Sequence, residues 1–199
     1  MSSLLEEFRQ VGRDLYAAGL VSSHGGNLSV RRGLGVVVTC HGSRLGHLDE
    51  GDLVEVASGI AVRFADSASG GAAAEPSMDL ALHQAIYDGT SARAVVHAHP
   101  RYAIALSLIE KEIRPQDLEG QHYLGVVPVV ARGDDLSPGS RQAVAQALAE
   151  VLKGNQIAVV AGHGSYARGD SLWQALQWTS VLEESAQVVW LLRALTRQG

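Results

Sequence analysis

Short β-prone segments joined by glycine-bearing turns occur twice in succession near the start of this chain, and no other feature restricts its fold as much. Residues 28–31 and 36–39 flank a polar stretch containing Gly33, and residues 53–56 and 60–64 flank Ser58-Gly59. Turns this short join only antiparallel neighbours, because a parallel pair needs a crossover of about a dozen residues or more. The first half of the chain is therefore expected to build an antiparallel sheet.

Helical spacing brackets these segments. Leu5, Phe8, Val11 and Leu15 mark a first helix over residues 4–18, with Ser2 and Ser3 as caps and Gly19 as its stop. Residues 66–74, small, polar and glycine-containing, read as a mobile loop entering a helix that carries Leu80, Leu82, His83, Ile86 and Tyr87. Residues 94–97 form a short apolar strand running into His-Ala-His-Pro. Helices follow at 102–106 and 140–152, and strands near 126–130 and 156–160. Asp170 is placed to cap a long last helix whose face is Leu172, Leu176, Val181, Leu182, Val188 and Leu191. No linker interrupts the pattern, so residues 1–199 are expected to form one α/β domain: three layers, α/β/α, with helices on both sides of a largely antiparallel sheet.

Charge and cysteine content narrow the functional classes. The chain has 199 residues, 46% hydrophobic and 19% charged, which suits a folded core and not a disordered segment. A net charge of -5 with no run of Lys and Arg disfavours nucleic acid as a partner. The single cysteine, Cys40, excludes an internal disulfide framework, and acidic residues stand where a signal peptide would be basic, so a cytoplasmic protein is expected. Glu183, Glu184 and Arg193 break the longest apolar pattern, leaving no membrane span.

The chemistry is concentrated in histidines. His97 and His99 alternate across Ala98 at a strand end, and period-two geometry turns both imidazoles to one face. Zinc favours imidazole nitrogen and commonly takes three protein ligands with one position left open. His163, in Gly162-His163-Gly164 after the strand at 156–160, is the natural third ligand, since the glycines permit close approach. Two hydrogen-bonded histidines at a strand end remain the simpler alternative. His24, His41 and His47 lie in or beside glycine-bearing turns and compete for the third place; His83 and His122 read as structural.

Five ordered motifs give these histidines a context: Gly-Leu-Val-Ser-Ser-His-Gly-Gly-Asn-Leu-Ser-Val-Arg at 19–31, Pro-Ser-Met-Asp-Leu-Ala-Leu-His at 76–83, Ala-Val-Val-His-Ala-His-Pro at 94–100, Gly-His-Gly at 162–164, and Leu-Glu-Glu-Ser-Ala at 182–186. Together they resemble the class II aldolase and adducin family, in particular enzymes of the L-fuculose-phosphate aldolase type, from Leu15 to about Ala186. The resemblance implies a zinc ion (Zn2+, or another divalent metal) on His97, His99 and His163. It places Asp79 where the aldolases usually carry a glutamate, as base, metal ligand or both. It assigns substrate anchoring to Asn27, with Gly42 and Ser77 at further phosphate-pocket positions, although His41 stands where threonine is usual and Met78 replaces a second serine. Tyr123 matches a proton donor that reaches into a neighbouring subunit's site, which implies a homo-oligomer, expected to be a tetramer.

A carbanion beside a ketone needs an electron sink, either a lysine Schiff base or a metal. Lys111 lies in a charged run and Lys153 at a helix end, so the metal route is expected, with zinc stabilising an enediolate, Asp79 moving the carbon-bound proton and Tyr123 protonating the departing oxygen. The expected activity is cleavage or formation of a carbon–carbon bond in a small ketose phosphate. Ribulose-phosphate 4-epimerisation or sugar-phosphate dehydration on the same site is the alternative. A non-enzymatic adducin-like module is disfavoured by the three histidines, and a serine hydrolase by the lack of a Gly-x-Ser-x-Gly elbow.

Overall fold

A computed structural model describes residues 4–64, 75–133 and 137–196. The loop expected at 66–74 and the caps expected at Ser2 and Ser3 lie outside the described residues. The chain opens with α1 (Leu4–Ala17) and lays down β1 (Asn27–Arg32), β2 (Gly35–Thr39), β3 (Leu53–Ala57) and β4 (Ile60–Arg63), each antiparallel to the one before. The two hairpins expected from the sequence are β1–β2 and β3–β4. After α2 (Leu80–Gly89), β5 (Ala94–Ala98) returns to pair with β1 and sets Asn27 opposite His97.

The second half adds α3 (Arg101–Ser107), β6 (Glu112–Ile113), α4 (Leu118–Tyr123), β7 (Val127–Val130), α5 (Pro138–Val151), β8 (Ile157–Val160), β9 (Gly164–Gly169) and α6 (Leu172–Thr196). The nine strands form one sheet in the order β4-β3-β2-β1-β5-β9-β8-β7-β6. Every pairing is antiparallel except β7 with β8, where α5 supplies the crossover that a parallel pair requires.

Alternating side chains give the sheet two buried faces. On β5, Val96 faces a core with Phe8 and Leu15 of α1 and Leu182 of α6, while Val95 faces one with Ile86 of α2 and Leu148 of α5. Two packed layers of helices thus enclose the sheet. Two details of α6 differ from expectation. Its buried line is Leu172, Ala175, Thr179, Leu182, Ala186 and Val189, while Leu191 is exposed; small residues let the helix lie close to the sheet, and large apolar ones do not mark the contact. Nor does Asp170 cap it: the Ser171 hydroxyl accepts from the Gln174 amide N–H, and the Gln174 side chain accepts from the N–H of Asp170.

Among the described residues, no helix is long and apolar enough to cross a membrane.

Candidate metal centre

One end of the sheet gathers every motif. There β1 and β9 begin and β2, β5, β7 and β8 end, and the register sets Asn27 against His97 and Ser165 against Ala98. His97, His99 and His163 converge so that one ring nitrogen from each lies within 4.8 Å of the other two. His24, His41 and His47 are not in the cluster. His24 bonds Ser23, and His47 packs at 6.2 Å, centroid to centroid, from Tyr16.

Each histidine of the cluster is positioned by backbone. His97 is buried, and its Nδ1 lies 3.0 Å from the Ser165 carbonyl, which can only accept, so Nδ1 carries the proton and Nε2 presents a bare lone pair. That lone pair faces His99 Nε2 at 3.1 Å. A tetrahedral zinc with Zn–N bonds of about 2.0–2.1 Å needs nitrogens about 3.3 Å apart, so the pair is already spaced for one shared ion. The His99 N–H donates to the Leu20 carbonyl, and His163 follows a turn closed by its N–H to the Val160 carbonyl. Two glycines make room. A Cβ on Gly164 would stand 2.3 Å from the Ala98 carbonyl oxygen and 2.9 Å from both imidazoles of the His-x-His pair, and one on Gly25 would stand 2.8 Å from His99 Nδ1.

Burial, against the pull of Asp79, pushes His97 down to about 3, and burial together with His163 lowers His99. Both are therefore neutral near pH 7, the form that binds a metal. The donor set, its spacing and its protonation fit a divalent ion.

Asp79 sits at the N-cap of α2, yet its side chain makes no capping bond. Its Oδ2 accepts instead from Asn27 Nδ2 at 2.8 Å and lies 3.5 Å from His97 Nε2. The helix-cap role of a lone N-terminal aspartate is thus given up in favour of the histidine cluster. Burial opposes its charge, but the imidazoles, His97 foremost, and the Asn27 amide outweigh it and hold the carboxyl below its usual range. Ser77 Oγ accepts from the Asp79 N–H, and Gly42 turns the chain after β2 at φ +74°.

Tyr123 ends α4 on the surface, its ring 6.0 Å from that of Trp178. It does not join Asp79 and the histidines within this chain. His122 packs on Tyr123, and His83 is fully buried with Nδ1 2.6 Å from the Ser29 hydroxyl, so both have the structural settings expected. Lys111 and Lys153 are exposed, and Lys153 pairs with Glu150.

Two contributors escaped the sequence reading. Tyr166 stacks on His97 at 4.2 Å and 16°, completely buried. Its hydroxyl has no hydrogen bond of normal geometry, and burial plus the nearby Asp79 charge hold its proton well above the usual phenol range. Glu183, within the Leu-Glu-Glu-Ser-Ala motif, accepts from the Tyr102 and Ala103 N–H groups and so ties α6 to the turn just after His99-Pro100. The motif was visible, but only the fold shows what it grips.

Residues 6–190 match the Class II Aldolase and Adducin N-terminal domain, and the chain belongs to that family. The crystal structure of L-fuculose-1-phosphate aldolase from Thermus thermophilus superposes with a TM-score of 0.85 at 39% identity, covering 98% of this chain and 97% of that one. The 3-oxo-tetronate 4-phosphate decarboxylase of Escherichia coli K12 is 32% identical over 96% of this chain and 87% of its own length. The L-fuculose phosphate aldolase of Methanococcus maripaludis is 30% identical over 96% and 98%. The chain is thus a class II aldolase-family enzyme with a three-histidine site for a divalent metal.

Proposed function

We propose that this enzyme breaks or forms a carbon–carbon bond next to the carbonyl of a small ketose phosphate, with zinc on His97, His99 and His163. The observation that carries this reading is the Asp79 carboxylate, hydrogen-bonded to Asn27 and 3.5 Å from His97 at the mouth of the cluster. A divalent ion there supplies a Lewis acid that polarises the substrate's oxygen. The chain's own residues do the rest. Asn27, the Gly42 turn and Ser77, at the start of β1 and beside the end of β2, hold the phosphate end. Asp79 is the group that takes or returns the proton on the carbon beside the ketone. No desolvated lysine is available for a Schiff base among the described residues, where Lys111 and Lys153 are exposed.

The test is product analysis. Metal-loaded protein incubated with a panel of ketose phosphates is expected to release an aldehyde, and removal of the metal by a chelator abolishes the release. Products that are only epimers of the substrate, with no aldehyde, would replace this reading with the epimerase one.

The active form is proposed to be a homotetramer in which Tyr123 completes a neighbour's site as proton donor. Tyr123, Leu118 and Val126 are all exposed around α4, and Trp173 and Trp190 are exposed on α6; apolar surface of this kind marks an interface. Mixing two inactive variants, Asp79→Asn and Tyr123→Phe, after dissociation and reassembly is expected to restore part of the activity, because some sites receive both intact residues. A monomer by light scattering, or no recovery in verified mixed oligomers, would exclude the shared site.

A further inference from the structure

A cavity of about 870 Å³ opens beside the histidine cluster, and its wall includes Asp79, His163, Arg132 and Arg141. Asn27, Gly42 and Ser77 do not line it. The sheet order explains the separation: Asn27 and Gly42 belong to β1 and the end of β2, on one flank of β5, while Arg132 and His163 follow β7 and β8, on the other. A substrate centred between Asp79 and the histidines therefore has two ends that meet two different surroundings.

Arg132 drapes over the glycine just before His163: its Nη1 lies 3.4 Å from where a Gly162 Cβ would stand. Arg141 rises from the first turns of α5, half-buried, and lines the same cavity. Neither guanidinium is paired with a carboxylate of the described residues. Isolated arginines on a convex surface need no explanation, because water solvates them. Two in one concave wall, over an apolar floor of Leu82, Val144 and Val160, concentrate positive charge that a bound anion would offset.

We propose that this cavity receives a carboxylate at the end of the substrate away from the phosphate, with Arg132 and Arg141 as its donors. The preferred substrate is then a phosphorylated sugar acid rather than a ketose phosphate with a neutral end. This rests on the reading of Asn27, Gly42 and Ser77 as the phosphate end.

The experiment measures binding and needs no turnover. The full chain, loaded with one divalent ion, is titrated calorimetrically with a four-carbon aldonate 4-phosphate and with the alditol phosphate that replaces its carboxylate by a hydroxymethyl group. One charge-assisted contact made or lost corresponds to roughly tenfold to a hundredfold in affinity. The acid is expected to bind tighter by about that factor. Arg132→Gln with Arg141→Gln should remove the difference while leaving the alditol phosphate's affinity and the metal content unchanged. Arg132→Gln alone, in an exposed position, carries the test if the double variant fails to fold, and should lose part of the preference. Equal affinities in the wild type, or a preference that survives in the variants, would overturn the proposal. If the variants weaken both ligands equally, the arginines hold the phosphate instead, and the proposal also fails. A wild type that takes up neither the ion nor either ligand would instead condemn the metal-enzyme reading beneath it.

Discussion

His97→Ala is expected to take the purified protein from about one divalent ion per chain to almost none. Outer groups that merely orient a metal ligand cost about 10- to 100-fold in affinity when removed, and loss of an imidazole that donates directly should cost more. His97 is the central member: its ring lies 4.8 Å from that of His99 and 4.7 Å from that of His163. The remaining pair is 5.8 Å apart, ring to ring, and leaves an ion undersupplied. Because His97 is buried against Tyr166, its truncation also leaves a void of side-chain size, and lost metal could then reflect a loosened fold. His99→Ala separates the two causes, since His99 is only half-buried. Elemental analysis alongside circular dichroism should show both variants folded and both without metal. Full occupancy in both would remove the three-histidine site.

Some of this architecture can be read directly from residue order, for identifiable reasons. The hairpins were legible because glycine-bearing turns separate β-prone runs, and the His-x-His pair because period two is the one geometry a strand offers. Other elements carry no such signal. β9 reads Gly-Ser-Tyr-Ala-Arg-Gly, with glycine at both ends and little apolar character, yet lies at the centre of the sheet with most of its residues buried. Gly169 lets α6 lie close to it and Gly164 leaves room for the imidazoles of His97 and His99, and small size is invisible to a hydrophobic pattern. The two-residue β6 and six-residue α4 are too short for periodicity to register. The parallel pairing of β7 with β8 is decided by where α5 crosses, a tertiary choice.

The site divides along the same line. The three histidines were identifiable singly, by strand-end placement and flanking glycines, while His24, His41 and His47 had similar local surroundings and were separated from them only by the fold. Tyr166 and the arginine pair were out of reach, because their importance lies in what they face. The partner of Asp79, 52 residues distant at Asn27, becomes apparent only when β1 pairs with β5.

Asp79→Asn is expected to reduce turnover by roughly 10²- to 10⁴-fold, the range that a positioned proton-transfer group contributes. An amide can neither accept the carbon-bound proton nor supply negative charge beside the histidines. The fold should be unaffected: the Asp79 side chain makes no cap bond on α2, and an asparagine oxygen can still accept from Asn27 Nδ2. Because the imidazoles and the Asn27 amide outweigh the burial that opposes the charge, losing it should lower stability slightly without unfolding the chain. Two measurements separate the roles open to this residue. If Asp79→Asn keeps its metal but no longer exchanges the substrate's carbon-bound proton with solvent, Asp79 is the base. If it loses the metal as well, the carboxylate is a ligand, as its 3.5 Å approach to His97 Nε2 allows. Asp79→Glu adds the methylene that most aldolases of the family carry here; it moves the oxygens by about 1.5 Å and should retain part of the activity where asparagine retains almost none. Proton exchange at the wild-type rate in Asp79→Asn would show that the base is another group.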